Sequence, residues 1–387
     1  MPGNKRIFVA AWEYPPFASG ESIVCQRTLQ YSKYDYDVCC GSGPQSESES
    51  DEHICTFPVG GNKYLQWPFS AVKKFQQLDA RQHYQVMMSR VMPPNGHLAG
   101  WLIKRLKPDI KWIAYFSDPV WNSPFLKLTL RKNNEQRPKW LLMKLFGWPA
   151  KWAVQESDLL VFNNDRLARY VLGDKYELYK NKMVIAPYGH TGFRPRVHTL
   201  STSDTFCLVH VGQFYGMRTL RDLIDGLELL RERKPDIYER LLVRQVGFCS
   251  KQEQLRVANS SVADKFEFVE PVPYAQSIEE MYKADCLLVV DPVFDNKSKN
   301  IYIPGKLFDY ISTGRPIMCI ADSDSATGDM AREMKCLCVP PQAEAVCDAL
   351  IEISQKLIVP QNLDKFHCRV GVEELDKAID WVWSGEY

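Results

Sequence analysis

The chain has 387 residues, 45% of them apolar and 25% charged, the balance of a folded protein rather than a disordered or fibrous one. Forty-eight Lys and Arg against 47 Asp and Glu leave a formal net charge of +1, which excludes the global basic field that would draw nucleic acid. The length exceeds that of one ordinary hydrophobic core and predicts two domains.

The first apolar run ends at Glu13 and Pro15, too short for a signal-peptide core, so no export is expected. No window approaches the roughly 18 uncharged apolar residues of a spanning helix. A cytoplasmic protein, peripheral at the inner face of the membrane, is the expectation. The 12 cysteines are scattered without a CxxC and are expected to be reduced, with no metal and no cofactor.

Short apolar runs alternate with amphipathic stretches, the rhythm of parallel sheets covered by helices. In chain order, strands are expected at residues 6–11, 36–40, 54–58, 112–117, 159–163 and 184–187. The polar, acidic segment 44–52 reads as a solvated loop, and the polar segment 199–205 as an interdomain linker. Further strands are expected at 206–211, 241–246, 266–269, 286–291, 316–320 and 336–339. The predicted domains are 1–198 and 199–370, with a C-terminal helix at 371–387 returning to the first. Ligands of doubly wound sheets bind beyond the carboxyl ends of the strands, so the loops there carry the search.

The most informative stretch is SKNIYIPGKLFDYISTGRPIM, residues 298–318. Pro304-Gly305 halts the chain before a helix expected at 306–313, which Gly314 ends. A helix start presents unpaired N–H groups to an anion, and Lys306 in its first turn adds a full charge, so a diphosphate fits there. Asp309 can accept from two hydroxyls of a ribose. The residues alone favour the plainer alternative, a capped helix with an exposed lysine and an N-terminal acid.

Ala284-Asp285 before a strand, followed by Pro304, Lys306, Asp309, Tyr310, Gly314 and Pro316, resembles the P-x-K-x-x-E-Y-x-x-x-G-x-P helix of retaining family 4 glycosyltransferases, as found in bacterial glycan assembly. The resemblance implies an α/β protein of the GT-B fold, with two doubly wound Rossmann-like domains facing across a cleft. It also implies retaining, metal-independent transfer of a sugar from a nucleoside-diphosphate sugar, a UDP-sugar by family frequency, to a glycan or lipid-linked acceptor. One departure stands out: the family often has two glutamates eight residues apart, and here Ile301 and Asp309 occupy those positions. The ribose acid survives in shortened form. Contacts to the donor sugar then fall to Ser298, Asn300 or the backbone around Ile301 and Tyr302.

By the same resemblance, the segment FCLVHVGQFYGMRTL opens the donor domain, with Gly212 and Gln213 at the phosphates and Arg218 as their second cation beside Lys306. Gly247-Phe248 and Val272 with Tyr274 match the base-contacting loops. In the first half, Gly20 closes the loop after strand one, where backbone can approach an anion. Asp118, after the strand at 112–117, matches the loop that points at the reacting centre. Arg218, Lys306 and Asp118 are therefore the expected catalytic residues, and Glu156 and His190 are secondary candidates. Seven Lys or Arg and one Glu, interleaved with Trp140, Trp148 and leucines, mark 127–151 as a surface for an anionic membrane. Two rivals share the fold: a sugar-nucleotide epimerase and a non-catalytic nucleotide-sugar-binding scaffold.

Overall fold

The computed structural model describes the chain outside residues 1–4, 16, 18, 43–51, 63–64, 92–94, 120–122, 124–136, 193, 197–204, 215, 295–299 and 386–387, with the backbone alone for 137–146. The chain forms two compact units, Met1–Gly189 with His367–Tyr387, and His190–Phe366.

The first unit holds β1 (Arg6–Ala10), β2 (Asp35–Gly41), β3 (Ile54–Val59), β4 (Val86–Arg90), β5 (Lys111–Phe116), β6 (Leu159–Phe162) and β7 (Met183–Ile185). They lie in the order β3-β2-β1-β4-β5-β6-β7, every pairing parallel. Parallel strands cannot be joined by tight hairpins, and helices such as Gly20–Gln30, Trp67–Gln82 and Asn95–Leu106 make the crossovers. Sheets sandwiched in this way bury both faces, which is why β2, β4 and β6 are buried along their whole length. The helix Cys368–Ser384 packs on this unit: Asp376 accepts from Ser32 Oγ at 2.6 Å and from the Lys33 amide at 2.9 Å, and Trp383 stacks on Tyr34.

Strand β4 has no counterpart among the expected segments. Its sequence, VMMSR, carries one β-branched residue and ends in Ser and Arg, so neither propensity nor polarity marks it. All five residues are nevertheless buried, and the core satisfies the serine: Ser89 Oγ accepts from Trp112 Nε1 at 2.7 Å and pairs with His97 Nδ1 at 2.8 Å.

The second unit holds β8 (Phe206–Val211), β9 (Leu241–Val246), β10 (Phe266–Val269), β11 (Cys286–Val290), β12 (Ile317–Ile320) and β13 (Leu337–Val339). These too are all parallel, in the order β10-β9-β8-β11-β12-β13. The unit begins ahead of the expected boundary at 198/199 and ends ahead of 370/371. Its two ends are tied to each other, His190 N donating to Phe366 O at 2.9 Å and His190 Nε2 lying 3.1 Å from Leu363 O. Of the expected linker 199–205, only Thr205 lies within the described residues.

Each sheet reverses its direction of growth once, between β1 and β4 and between β8 and β11. Chain leaving the strands on either side of a reversal goes to opposite faces and opens a crevice, the general ligand position of this architecture. The pairing of β8 with β11 covers only Cys286↔Leu208 and Leu287↔Val209. Beyond it the Tyr310 hydroxyl fills the gap, accepting from Val211 N at 2.8 Å and lying 3.4 Å from Leu288 O. The helix Lys306–Thr313 is thereby fixed with its first turn at the crevice.

Candidate functional site

At the crevice of the second unit, β8 is followed by Gly212, whose φ of +125° is open to glycine and strained for other residues. A Cβ there would stand 3.2 Å from Lys306 Nζ, so the ammonium lies directly over this bare backbone. Gly247, at the end of β9, has φ +113°, and a Cβ on it would meet Gly212 O at 2.8 Å. Two glycines thus let two loop turns close on each other beneath the lysine.

Lys306 starts its helix, which has no side-chain cap at Gly305. Its Nζ is hydrogen-bonded to His210 Nε2. Burial and then the neighbouring Arg218 hold Lys306 well below the ordinary lysine range, while Asp291 pulls the other way. Asp291, just past β11, is 5% exposed; it accepts from Asn300 Nδ2 at 2.6 Å and from Thr327 Oγ1 at 2.8 Å. Burial pushes its carboxyl up to about 6, against those two hydrogen bonds and the pull of Arg218 and Lys306. Lys306, Arg218 and Gly212 are therefore neighbours, and His210, Asp291 and Gln245, whose Nε2 donates to Gly212 O at 2.8 Å, join them unannounced by any motif. The one signal for His210 was a basic ring inside an otherwise apolar strand, FCLVHV.

Asp309, one helical turn beyond Lys306, accepts from Tyr274 Oη at 2.9 Å. Two residues expected at the ribose and the base are thus joined. Phe248 and Tyr274 are 50% and 48% exposed, and Val272 is half-buried. Phe248 O accepts from Phe214 N at 2.7 Å, which ties the loop after β9 to the loop containing Gln213, itself exposed. Asn300 is 5% exposed, and besides holding Asp291 its Oδ1 accepts from Tyr302 N at 3.0 Å. Both ends of that amide are engaged within the protein. Ile301 is buried at 6%, and Ser298 lies outside the described residues.

Gly20 and Asp118 belong to the first unit. Gly20 begins a helix capped by Ser19, whose Oγ accepts from Ser22 N at 3.1 Å and donates to Glu13 Oε2 at 2.5 Å. The first turn also carries Glu21, which takes a 3.0 Å hydrogen bond from Arg90 Nε. The Arg90 side chain is 1% exposed, and its guanidinium lies 4.0 Å from the centre of the Tyr115 ring. Burial raises the Glu21 carboxyl above its ordinary value against the pull of Arg90. Asp118 is half-buried beside these acids; burial, then Glu21 and Glu13, push it up to about 8. This group sits at the β1/β4 reversal, where a carboxyl that keeps its proton at neutral pH can donate as well as accept.

Glu156 pairs with Arg105 at 2.9 Å and accepts from Trp101 Nε1 at 3.3 Å, joining two helices. In the stretch 127–151, Trp148 is 56% exposed, but the side chains of residues 124–146 lie outside the described set. Among the described residues no helix is long and apolar enough to cross a membrane.

No protein-family model matches the chain, and no curated protein matches it in sequence. Solved structures do match in fold. A glycosyltransferase from Rickettsia africae superposes with a TM-score of 0.65 at 12% identity, over 99% of this chain and 100% of that one. HepE of Anabaena, in complex with UDP and glucose, gives 0.63 at 10% identity, over 97% and 99%. A UDP-N-acetylglucosamine 2-epimerase homologue from Listeria monocytogenes gives 0.58 at 9% identity, over 100% and 98%. What the chain shares with all three is architecture over its full length: two parallel-sheet α/β domains of the GT-B fold.

Proposed function

We propose that the protein is a glycosyltransferase that takes a sugar from a nucleoside-diphosphate sugar, a UDP-sugar in the first instance, and passes it with retention and without a metal to a glycan or lipid-linked acceptor. The observation that carries the reading is Lys306: an amine at an uncapped helix start, lying over the bare backbone of Gly212 with Arg218 beside it. Negative charge grows on the departing diphosphate as the glycosidic bond breaks, and fixed cations in a partly dry site stabilise that charge without reorganising. Lys306 and Arg218 do this in the proposed site, Asp309 with Tyr274 holds the ribose, and the exposed Phe248 and Tyr274 receive the base. Asp118 of the first unit, which burial and the neighbouring Glu21 and Glu13 keep protonated up to about pH 8, orients the acceptor hydroxyl. An acceptor anchored at a membrane surface agrees with the basic, tryptophan-bearing stretch at 127–151.

The glucose and UDP bound by HepE make UDP-glucose the first donor to try. Incubation with a panel of UDP-sugars, followed by separation of nucleotide products, tests the activity. Release of UDP that depends on Lys306 supports transfer. Conversion of one nucleotide sugar into its epimer without UDP release would replace the proposal with the epimerase reading, which the Listeria neighbour shares in fold.

A further inference from the structure

His210 is 1% exposed in the middle of β8, a strand that is otherwise apolar, and a buried ring with two polar nitrogens costs stability unless both are satisfied. Both are. Nδ1 is hydrogen-bonded to Gln245 Oε1 and Nε2 to Lys306 Nζ. The direction of each bond follows from one backbone atom. Gly212 O can only accept, and it takes a 2.8 Å hydrogen bond from Gln245 Nε2. The Gln245 amide is therefore oriented with its oxygen toward His210, an oxygen can only accept, and Nδ1 must carry the proton. A neutral imidazole protonated on Nδ1 has a bare Nε2, which accepts from the lysine. Phe214 closes the ring edge-on, with centroids 5.0 Å apart.

We infer that His210 is a positioning residue for the diphosphate site: held in one tautomer by Gln245 and the Gly212 carbonyl, it accepts one hydrogen of Lys306 and so aims the remaining two at the ligand. This rests on the reading of Lys306 as a diphosphate contact. Burial and the charge of Lys306 keep His210 far below its ordinary range, so the ring stays a neutral acceptor throughout the working pH range. The groups that face Lys306 are His210 from β8, Arg218 from the loop after it and Asp291 from the loop after β11. Arg218 opposes the lysine charge, whereas Asp291 and the lone pair of His210 favour it. A diphosphate adds negative charge, so binding draws a proton onto whatever fraction of Lys306 is neutral, and affinity declines as pH rises through the lysine titration.

The test is calorimetric titration of UDP into the full chain between pH 6 and 9, each pH in two buffers of different ionisation enthalpy. The proteins are the native chain, His210→Phe, His210→Gln and Gln245→Met, with thermal melting of each. His210→Phe keeps the volume but removes the acceptor and is expected to weaken UDP binding about tenfold or more, the worth of a hydrogen bond to a charged group. Its affinity is also expected to decline at lower pH than in the native chain. His210→Gln puts an amide oxygen close to where Nε2 stood and restores both. Gln245→Met leaves the ring in place with its tautomer unfixed and loses part of the affinity, which keeps the inference testable if His210→Phe does not fold. Native-like affinity and pH profile in His210→Phe, or equal losses in His210→Phe and His210→Gln, would overturn the positioning role. Absence of UDP binding by the native chain would overturn the nucleotide reading itself, and the positioning role with it.

Discussion

Lys306 and Gly212 are separated by so little that the glycine's missing side chain is part of the lysine's position: a Cβ would stand 3.2 Å from Nζ and 3.4 Å from Cε. Gly212→Ala forces a side chain into a positive-φ backbone and pushes the ammonium away. It is expected to fold with a modestly lower melting temperature and to bind nucleotide about tenfold more weakly. Gly247→Ala is the contrast, because its Cβ would meet the Gly212 carbonyl at 2.8 Å, a backbone atom that cannot swing aside. There the larger loss is expected in thermal stability, and parallel melting and binding curves of the two variants separate the effects.

The Asp309–Tyr274 hydrogen bond joins the helix that Lys306 begins to the start of the helix Tyr274–Tyr282. A ribose competing for the same carboxylate makes Asp309→Asn lose affinity for UDP, while Asp309→Glu, the acid of the resembled family, retains most of it. Tyr274→Phe is expected to lose less than Asp309→Asn, since the ring face remains. Titration of UDP against uracil separates ribose from base: the Asn variant changes the first and not the second.

The residues that carry this site divide by how visible they are in sequence. Lys306, Asp309 and Gly314 announce themselves because a Pro-Gly stop, a charged first turn and a glycine C-cap each follow from local backbone physics, and Gly314 does adopt φ +69°. Of the 13 strands among the described residues, 12 were legible as apolar runs. Strand β4 was not: tertiary burial, not propensity, makes VMMSR a strand. His210, Gln245 and Asp291 were hidden for another reason, because their importance lies in partners 35 to 96 positions away, or in a buried charge held by Asn300 and Thr327. The Arg90–Glu21 pair, 69 positions apart, is hidden in the same way.

In the first unit, Asp118 couples protonation to stability. Its carboxyl is raised from 3.8 to about 8 in the folded chain, so the folded state holds a proton that the unfolded state releases above about pH 4. The stability this contributes is complete below the unfolded value and is lost as pH rises through about 8. Asp118→Asn, which has no proton to lose, should therefore flatten the decline in melting temperature between pH 5 and 9. At pH 9 it should melt at least several degrees above the native chain. Parallel melting curves that keep a constant offset at every pH would show that Asp118 titrates as an ordinary surface acid.

The central claim is that a nucleoside diphosphate is held by Lys306 and Arg218. The most direct measurement is calorimetric titration of UDP into the native chain, Lys306→Ala and Arg218→Ala at one pH and ionic strength, with melting curves to verify folding. Each cation contributes a charge-assisted hydrogen bond, so each variant should lose UDP affinity by about tenfold or more while melting as a folded protein. Equal affinity in all three, or no binding by the native chain at millimolar UDP, would contradict the account.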